Sequence, residues 1–366
     1  MKALVTGATG LLGAHIVRAL VEEGHSVRAF TRASSDLSGL EGLPFERIIG
    51  DVLDAESLRR AANGCEVLFH AATSFTYWGE RLDDLEATAV EGTRHALDAA
   101  AAAGLRKVVL TSSSVVFGYR DEPAVLDESA VISDDDGQPP YVVAKVRQDL
   151  LALEHARLRR LDLCIACPTM AVGPFSPTLG PSNAVILTYL ADPFRLTYPG
   201  GCNIVAACDV GRGHVLLANV GRPGERYILG GENLEWEDVH RIVADLCGVE
   251  RPSVTAGHAA LYIAAAGEEL RARLSGRPPL TTRTQASMIG RYYWYSSAKA
   301  RRAGYVARPP RNAIAEAVAW LVASRHVWRE LRTRIRLHRD VYDERRTLRA
   351  REASLRTDLV ERTFEM

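Results

Sequence analysis

Residues 2–13 of this 366-residue chain read KALVTGATGLLG, and this stretch decides the fold. An apolar run typical of a buried strand leads through Gly7, Gly10 and Gly13 into a segment whose periodicity predicts a helix over Leu12–Glu23. A glycine-rich turn between a strand and a helix indicates a loop that binds a pyrophosphate at the helix N-terminus. Gly7 then permits the tight turn, Gly10 lets the backbone approach the phosphates, and Gly13 lets the helix pack on the sheet. The alternative is a tight turn that binds no ligand.

The same alternation of strand and helix continues through the first half of the chain. Apolar runs predict strands over Lys2–Thr6, Ser26–Thr31, Phe45–Ile49, Glu66–His70, Lys107–Thr111 and Asp162–Cys167. Helical periodicity predicts further helices over Ala55–Asn63, Leu82–Ala103 and Tyr141–Arg160. Repeated βαβ units with right-handed crossovers predict an α/β protein with a doubly wound parallel Rossmann sheet.

The rest of the chain predicts a smaller lobe and a tail. Residues 1–167 are expected to form the dinucleotide-binding domain, to which residues 204–248 return in part. Residues 168–203 and 249–323 are rich in irregular sequence and are expected to form a substrate-binding lobe. Residues 324–366, here called the C-terminal tail, are rich in arginine and contain no glycine or proline. We expect the tail to form a solvated helix that packs on the body or on a second subunit.

Composition excludes several classes of protein. The 45 basic and 45 acidic residues balance to a formal net charge of zero, which argues against a bulk nucleic-acid binder. The sequence contains no apolar run long enough for a membrane span and begins without a leader, so we expect a cytoplasmic protein. Cys164 and Cys167 form a CxxC, but on a strand residues three apart point to opposite faces. We therefore predict structural thiols and no metal site.

The residues after the second and later strands predict the choice of cofactor. Arg32 stands near the position where an NAD site usually carries an acid, and an arginine can pair with a ribose 2′-phosphate. Ser34 and Ser35 could add hydroxyl donors. NADP(H) is therefore expected over NAD(H), unless Asp36 serves the ribose or Arg32 is only surface charge. Further cofactor contacts are predicted at Thr9, Leu11 and Leu12 in the loop, Asp51 and Val52 beside the adenine, and Ala71, Ala72 and Thr73 after the fourth strand.

A second motif predicts acid–base chemistry. Tyr141 and Lys145 form a YxxxK on a predicted helix, where residues four apart share a face. The lysine charge is expected to lower the pKa of the phenol, which can exchange a proton with a carbonyl oxygen while a hydride is transferred. Ser113 follows the fifth strand, at the sheet edge where ligands bind, and its hydroxyl can polarise that oxygen.

These motifs resemble the extended short-chain dehydrogenase/reductase family, within it the dihydroflavonol-4-reductase-like branch. The resemblance covers roughly residues 1–323 and rests on TGATGLLG at 6–13, GDV at 50–52, HAA at 70–72, VEGTR at 90–94, TSSSVVFG at 111–118 and YVVAK at 141–145. GERYILGGENL at 224–234 and SSAKARRAGY at 296–305 are similar to bacterial hopanoid-associated sugar epimerases. The resemblance implies that Ser113 is the catalytic serine, with Ser114 as the register alternative, and that Tyr141 is the acid/base. It also implies that Lys145 binds the nicotinamide ribose and that Pro168 and Thr169 border the nicotinamide.

Two departures from the family pattern bear on function. Ala89 stands where the family usually has an asparagine that supports the active-site hydrogen bonds. The segment Gly201–Asn203 lacks the arginine with which nucleotide-sugar epimerases usually grip a diphosphate. Aromatic and apolar side chains instead favour an apolar substrate. Candidate substrate contacts are Phe75, Tyr77, Ser114, Met170 and Phe175, with Trp78, Tyr189 and Phe194 in the same region.

The sequence thus predicts an NADPH-dependent ketoreductase that acts on an apolar or aromatic small molecule. The alternatives are an NDP-sugar epimerase or dehydratase with tightly bound NAD(P), and a catalytically weak NADP-binding sensor. The expected partner is a small-molecule substrate, without nucleic acid or membrane insertion. A helix-mediated homodimer is common in the family that the chain resembles, and the sequence itself does not fix the oligomeric state.

Overall fold

The computed structural model describes residues 1–73, 75–79, 81–133 and 137–364, with side chains described as far as Leu355. Its strands are β1 Lys2–Thr6, β2 Ser26–Thr31, β3 Glu46–Ile49, β4 Val67–His70, β5 Lys107–Thr111, β6 Leu163–Pro168, β7 Met170–Val172, β8 Leu196–Thr197, β9 Gly201–Ala206, β10 Arg226–Leu229, β11 Glu232–Glu235, β12 Val254–Thr255 and β13 Tyr292–Tyr293.

The helices alternate with these strands in the first half of the chain and predominate in the second. They are α1 Leu11–Glu22, α2 Ala55–Ala62, α3 Leu82–Glu86, α4 Gly92–Ala102, α5 Pro140–Arg159, α6 Pro181–Ala191, α7 Ala207–Val220, α8 Trp236–Cys247, α9 His258–Ser275, α10 Arg283–Ser287, α11 Ala298–Arg302, α12 Pro310–Ala323, α13 Arg329–Arg334 and α14 Arg339–Phe364.

Seven parallel strands form the central sheet, in the order β10-β6-β5-β4-β1-β2-β3. The chain runs outward from β1 to β3 and then crosses back to β4, so the strand order reverses between β1 and β4. Thr6 at the end of β1 lies in register with His70 at the end of β4. Ligands of doubly wound sheets bind in the crevice at the carboxyl ends of the strands, where the order reverses.

Apolar layers cover both faces of this sheet. One layer is supplied by α1 and α7 and includes Ile16 and Val215. The other is supplied by α2, α4 and α5 and includes Leu58, Leu97 and Val146. Because both faces are buried, the strands carry nearly continuous apolar runs rather than alternating ones. The predicted α/β class and the doubly wound Rossmann sheet are confirmed.

A smaller sheet and a third apolar cluster form the second half of the molecule. Strand β9 lies between β11 and β13 and also pairs with β7, while β8 and β12 form a separate pair. Helices α6, α8 and α12 pack over this sheet around Leu187, Val243 and Ile314. A smaller C-terminal lobe was predicted from the sequence, and the observed one also takes β11 and α8 from the segment 204–248. From the same segment, β10 joins the central sheet, and the role of the lobe in binding substrate stays a prediction.

The sequence analysis missed two features of secondary structure. The helix expected over Leu82–Ala103 is interrupted by a π-helical turn at Ala87–Glu91, because periodicity does not record a local change in hydrogen-bond pattern. The segment expected to be irregular contains the 18-residue helix α9. Its apolar residues Ile263, Leu270 and Leu274 are exposed, so α9 lacks the buried stripe by which an amphipathic helix is recognised.

The C-terminal tail packs on the body of the same chain. Asp340 near the start of α14 accepts a hydrogen bond from Arg311 of α12 at 2.8 Å. Further along α14, Glu352 forms an ion pair with Arg18 of α1, and Leu355 joins the apolar layer that covers that helix.

The six cysteines are buried free thiols. Among the described residues there is no cluster of three or more histidine, cysteine or acidic side chains placed to hold a metal ion. In the same part of the chain, every helix is too short or too polar to cross a membrane.

Candidate active site

The glycine loop connects β1 to α1 and lies against the end of β4. Gly7 has a φ of 66°, and a Cβ there would lie 2.5 Å from the Ala71 carbonyl oxygen. A Cβ at Gly13 would lie 2.0 Å from the Gly7 carbonyl oxygen, so helix and loop are in direct backbone contact. Backbone packing within the protein therefore requires glycine at both positions, whether or not a ligand is bound. The roles predicted for Gly7 as a turn and Gly13 as a packing residue agree with this geometry.

Gly10 is different, because the protein leaves space beside it. A Cβ at Gly10 would meet only the Gly7 carbonyl oxygen, at 3.4 Å, and Gly10 is exposed at the N-cap of α1. No side chain caps the helix there, so the first-turn N–H groups lack a side-chain acceptor. Such an end, with the positive pole of the helix dipole, suits a phosphate group. The loop therefore fits a dinucleotide, with Thr9, Leu11 and Leu12 beside it.

Arg32 and Ser34 are exposed directly after β2, and Ser35 is half-buried. Arg47 of β3 braces this turn by donating hydrogen bonds to the carbonyl oxygens of Arg32 at 3.1 Å and Ala33 at 3.3 Å. The sequence analysis missed Arg47, which stands fifteen residues from Arg32 and is brought next to it only by the pairing of β2 with β3. Two arginines thus lie at this turn.

The other residues expected near the adenosine follow the neighbouring strands. Asp36, the alternative ribose ligand, accepts a hydrogen bond from the backbone N–H of Ser38 at 2.9 Å, and this bond lowers the pKa of its carboxyl. Asp51 accepts from the backbone N–H of Leu53 at 2.9 Å. Val52 is buried.

Tyr141 lies in the first turn of α5, where Pro140 begins the helix. Its ring is buried among other aromatic rings, with centroid distances of 4.8 Å to Phe75 and 5.9 Å to Tyr77. Ala89, in the π-helical turn, belongs to the same small apolar cluster as Tyr141. Phe75 is 41% exposed and covers the phenol from the solvent side.

The pKa of the Tyr141 phenol is shifted in the direction opposite to the one expected. Burial raises this pKa well above the ordinary value, a hydrogen bond with Ser113 opposes the rise, and the buried carboxyl of Asp149 adds to it. The lysine charge was expected to lower the pKa, but desolvation of a phenolate under Phe75 and Tyr77 has the larger effect. Tyr141 is therefore protonated throughout the physiological pH range.

Lys145 lies one turn further along α5 and is fully buried. Its ammonium group donates hydrogen bonds to the carbonyl oxygen of Thr111 at 3.0 Å and to Oε1 of Gln148 at 2.8 Å. The Gln148 amide in turn donates to the hydroxyl of Thr93 on α4 at 2.8 Å. Burial lowers the pKa of Lys145 to about 8, although the charge of Asp149 opposes that shift.

Asp149 supplies the buried negative charge near Lys145. It accepts a hydrogen bond from Nε of Arg226 on β10 at 2.9 Å, and its side chain is almost wholly buried. Burial raises the pKa of its carboxyl, while Arg226 lowers it. Sequence reasoning missed both Gln148 and Asp149. The available signal was their spacing of three and four residues from Lys145, which places two polar residues on a buried face of a helix.

Two neutral histidines connect the strand ends beneath the site. His70 Nδ1 lies 2.8 Å from the hydroxyl of Thr6, and burial together with Lys145 lowers the pKa of His70 to about 3. His214 donates from Nδ1 to the Val210 carbonyl oxygen at 2.8 Å, so its Nε2 accepts a hydrogen bond from the Thr111 hydroxyl at 2.9 Å. Burial lowers the pKa of His214 to about 4.

The remaining predicted site residues follow the ends of β4, β5 and β6. The half-buried Ala71, Ala72 and Thr73 follow β4. At the end of β6 lie Pro168 and then Thr169, whose hydroxyl donates to Oδ1 of Asn203 at 2.8 Å. The buried Ser114 adjoins Ser113.

Of the candidate substrate contacts, only Phe75 and Tyr77 are in ring contact with Tyr141 among the described residues. Met170 instead packs against the apolar cluster of the smaller lobe. Phe175 lies beneath the guanidinium group of Arg18 at 3.5 Å and 5.6 Å from the ring of His15, so it packs on α1. The predicted contacts of Met170 and Phe175 with substrate stay predictions.

Comparison with known proteins places the chain among nucleotide-dependent enzymes. The sequence profile described as the NAD dependent epimerase/dehydratase family matches residues 3–196. A putative dihydroflavonol 4-reductase from Synechocystis sp. is 31% identical, over 86% of this chain and 93% of that protein.

Two further proteins are similar over most of their length. Sterol demethylase protein B of Methylococcus capsulatus is 34% identical, over 87% of this chain and 98% of that protein. The crystal structure of gox2253 superposes with a TM-score of 0.78 at 34% identity, and covers 89% of this chain and 99% of that one.

Proposed function

This chain belongs to the NAD dependent epimerase/dehydratase family and is an NAD(P)-dependent oxidoreductase of the extended short-chain dehydrogenase/reductase type, and from this premise we propose that it is an NADPH-dependent ketoreductase. Its substrate would be an apolar or aromatic small molecule with a ketone carbonyl. The observation that carries the proposal is the state of Tyr141. A buried phenol with a raised pKa, hydrogen-bonded to Ser113, is a proton donor rather than a base at neutral pH.

In this mechanism, bound NADPH supplies the hydride that reaches the carbonyl carbon. Ser113 donates a hydrogen bond to the carbonyl oxygen and polarises it. Tyr141 donates its proton to the same oxygen as negative charge develops there. Phe75 and Tyr77 exclude water from the phenol, so the proton goes to the substrate. Lys145 would hold the nicotinamide ribose, and its ammonium charge favours release of the proton by Tyr141.

The preference for NADPH is supported by the turn after β2. Arg32 is exposed there, and Arg47 holds the backbone of the same turn. A guanidinium group pairs with a 2′-phosphate through two parallel charge-assisted hydrogen bonds, which a ribose hydroxyl cannot replace. Replacing Arg32 by alanine should weaken NADPH binding by about ten-fold to a hundred-fold, since hydrogen bonds between charged groups contribute ~1.5–3 kcal/mol. NADH binding should change little.

An apolar substrate is supported by the residues beside the phenol. Phe75 and Tyr77 are the side chains that cover Tyr141, and they offer ring faces rather than charge. Cys202 and Asn203 of β9 are buried and carry no positive charge that could grip a diphosphate. The names of two similar proteins refer to a dihydroflavonol and a sterol, which are both polycyclic and largely apolar.

An epimerase or dehydratase of nucleotide sugars is the second candidate, favoured by the description of the family itself. It would use the same serine, tyrosine and lysine, but its cofactor would be regenerated within each turnover. A binding protein with little activity is the third candidate, because Ala89 replaces a polar side chain beside Tyr141.

The experiment that separates these functions is a cofactor-consumption assay on the purified protein. NADPH or NADH is mixed with a dihydroflavonol or a 3-ketosteroid, and NADP⁺ or NAD⁺ is mixed with UDP-glucose. Cofactor absorbance and products are followed in each reaction. Stoichiometric NADPH loss with a ketone supports the ketoreductase. Isomerised or dehydrated sugar nucleotide without net cofactor loss would contradict it, as would tight NADPH binding without turnover of any probe. Arg32→Ala tests the cofactor preference in the same assay.

A further inference from the structure

Gln148 connects the ammonium group of Lys145 to a neighbouring helix. Its amide oxygen accepts from Lys145 Nζ at 2.8 Å, and its amide nitrogen donates to the Thr93 hydroxyl on α4 at 2.8 Å. Gln148, Lys145 and Thr93 are each at most 1% exposed, so water does not compete for these bonds. A buried glutamine whose oxygen and nitrogen are both engaged has one orientation.

We propose that Gln148 is a positioning residue that keeps the Lys145 ammonium group charged and oriented in the active site. The ammonium group has three donors, and the described residues offer it two hydrogen-bond acceptors, the Thr111 carbonyl oxygen and the Gln148 amide oxygen. These two bonds fix the direction of the group. The third N–H would then be available to donate a hydrogen bond to the cofactor.

A neutral amide suits this role better than a carboxylate would. Burial disfavours the charged form of Lys145, and a hydrogen-bond acceptor favours it without adding a charge. A carboxylate at 2.8 Å would instead form a tight buried ion pair and hold the ammonium group to itself. The carboxylate that the site does contain, Asp149, is bonded to Arg226.

Other titratable or charged groups near Lys145 also influence its protonation. These titratable or charged groups are Asp149 on the same helix, Cys167 on β6, His70 on β4, and Arg226 on β10 acting through Asp149. Among the described side chains, the amide of Gln148 is the one that accepts a hydrogen bond from the lysine nitrogen, so it directs the ammonium group. The inference rests on the proposed function for its catalytic consequence only. The hydrogen-bond geometry stands without it.

Titration of Lys145 tests the inference directly. The chain has four lysines, Lys2, Lys107, Lys145 and Lys299. Full-length protein labelled with ¹³C at lysine Cε therefore gives four NMR signals, and Lys145→Arg identifies the one of interest. Loss of the acceptor in Gln148→Met should lower the pKa of Lys145 by about one to two pH units, because a hydrogen bond to a charged group contributes ~1.5–3 kcal/mol. Gln148→Glu should raise that pKa, because it places a carboxylate beside the ammonium group.

The two substitutions serve as controls for each other, because both disturb the same packing but shift the titration in opposite directions. If both variants fold and the Lys145 signal titrates as in the unmodified protein, the inference is wrong and Gln148 is only a packing residue. If Gln148→Met does not fold, Thr93→Val provides the test. It leaves Gln148 in place but removes the partner of its amide, and should lower the pKa of Lys145 by a smaller amount. An unchanged titration in that folded variant would likewise overturn the inference.

The pH dependence of turnover separates this inference from the proposed function. With an active ketone substrate, the fall in kcat/KM at high pH should move to lower pH in Gln148→Met and to higher pH in Gln148→Glu, each following the NMR titration. If no ketone is reduced, the proposed function fails, but the titration still decides the role of Gln148.

Discussion

Burial decides the chemistry of the central residue of this site. Tyr141 is covered by two aromatic rings, and its pKa is raised because a phenolate there would lose its hydration. Tyr141 is therefore protonated at neutral pH, which is the state that the proposed reduction of a carbonyl requires. The Ser113 hydroxyl opposes the rise and stabilises the phenolate that forms when the proton leaves.

Tyr141→Phe removes the proton donor and keeps the ring that packs against Phe75. We expect kcat for ketone reduction to fall by ~10²–10⁴-fold, the usual contribution of a positioned acid. NADPH binding, measured by fluorescence titration, should change little because the glycine loop is untouched. Tyr305→Phe is the matched control, since Tyr305 is a buried tyrosine in the core beside α7. A Tyr141→Phe enzyme that keeps most of its activity would rule out the assigned role.

Sequence spacing was sufficient to place Tyr141 and Lys145 on one helix, which is α5, and their joint role in catalysis stays a prediction. It was not sufficient for residues whose roles depend on distant segments. Arg47 reaches the turn after β2 through strand pairing, and Phe175 reaches Arg18 across more than 150 residues of chain. The direction in which the pKa of Tyr141 is shifted also depends on burial by Phe75 and Tyr77, which belong to a loop far from Tyr141 in sequence.

At the scale of elements, the glycine loop can be tested without disturbing the fold. Gly10→Ala adds a methyl group that would contact only the Gly7 carbonyl oxygen, at 3.4 Å, and Gly10 has an ordinary negative φ of −77°. We therefore expect a nearly unchanged Tm but at least a ten-fold loss of NADPH affinity, because the methyl group occupies the space expected for phosphate.

Gly13→Ala is the contrasting variant of the same loop. Its methyl group would lie 2.0 Å from the Gly7 carbonyl oxygen, so it should lower stability as well as binding. Thermal unfolding and NADPH titration of both variants check the pair. Full NADPH affinity in Gly10→Ala would show that the phosphates do not bind at this helix end.

Helix α14 is a second element with a testable contribution. The ion pair between Glu352 and Arg18 connects α14 to α1. The side chain of Glu352 is 27% exposed and that of Arg18 is 7% exposed. Glu352→Ala should therefore lower the free energy of unfolding by more than the ~1 kcal/mol of a surface pair, but by less than the ~3–5 kcal/mol of a fully buried one. Denaturant unfolding measures the change.

The exposed pair of Asp343 with Arg346 on the same helix provides the control. Asp343→Asn should leave stability unchanged within ~0.5 kcal/mol. Equal effects of the two substitutions would mean that α14 is not fastened through Arg18.

The pattern of elements could be predicted where the apolar run or stripe was buried. The six strands β1 to β6 of the central sheet were predicted to within a residue or two, and all of them except the edge strand β3 are largely buried. Helix α9 was missed because its large apolar residues are exposed, and the π-helical turn was missed because it changes only the backbone bonding. The C-terminal tail could be predicted as helical, but its partner on the body could not.

At the scale of the whole molecule, four buried histidines make stability depend on pH. Burial lowers the pKa of His15 and His70 to about 3, and of His214 and His240 to about 4. Because these values lie below that of an unfolded histidine, ~6.5, their contribution is fully present above pH 6.5 and is lost as pH falls. Each histidine should remove ~1 kcal/mol of unfolding free energy between pH 6.5 and pH 5.5.

A difference between variants isolates this effect from the carboxyls of Asp149 and Glu316, whose raised pKa values act in the opposite sense. His214→Gln should reduce the pH dependence of the unfolding free energy by ~1 kcal/mol over that interval. His258→Gln, at an exposed histidine on α9, should not. Denaturant unfolding at pH 6.5 and 5.5 makes the comparison, and equal slopes for the two variants would contradict the assignment.

The central claim concerns the whole enzyme. It is that each turnover transfers one hydride from NADPH to a ketone and releases NADP⁺, without regenerating the reduced cofactor. The most direct measurement uses NADPH carrying deuterium at both C4 positions, with a dihydroflavonol or a 3-ketosteroid as acceptor and mass spectrometry of the product. We predict an alcohol with one deuterium on the former carbonyl carbon and one NADP⁺ formed per alcohol. An alcohol without deuterium would contradict the account, as would a sugar nucleotide that is isomerised in a parallel reaction with NADP⁺ or NAD⁺ and without net change of the cofactor.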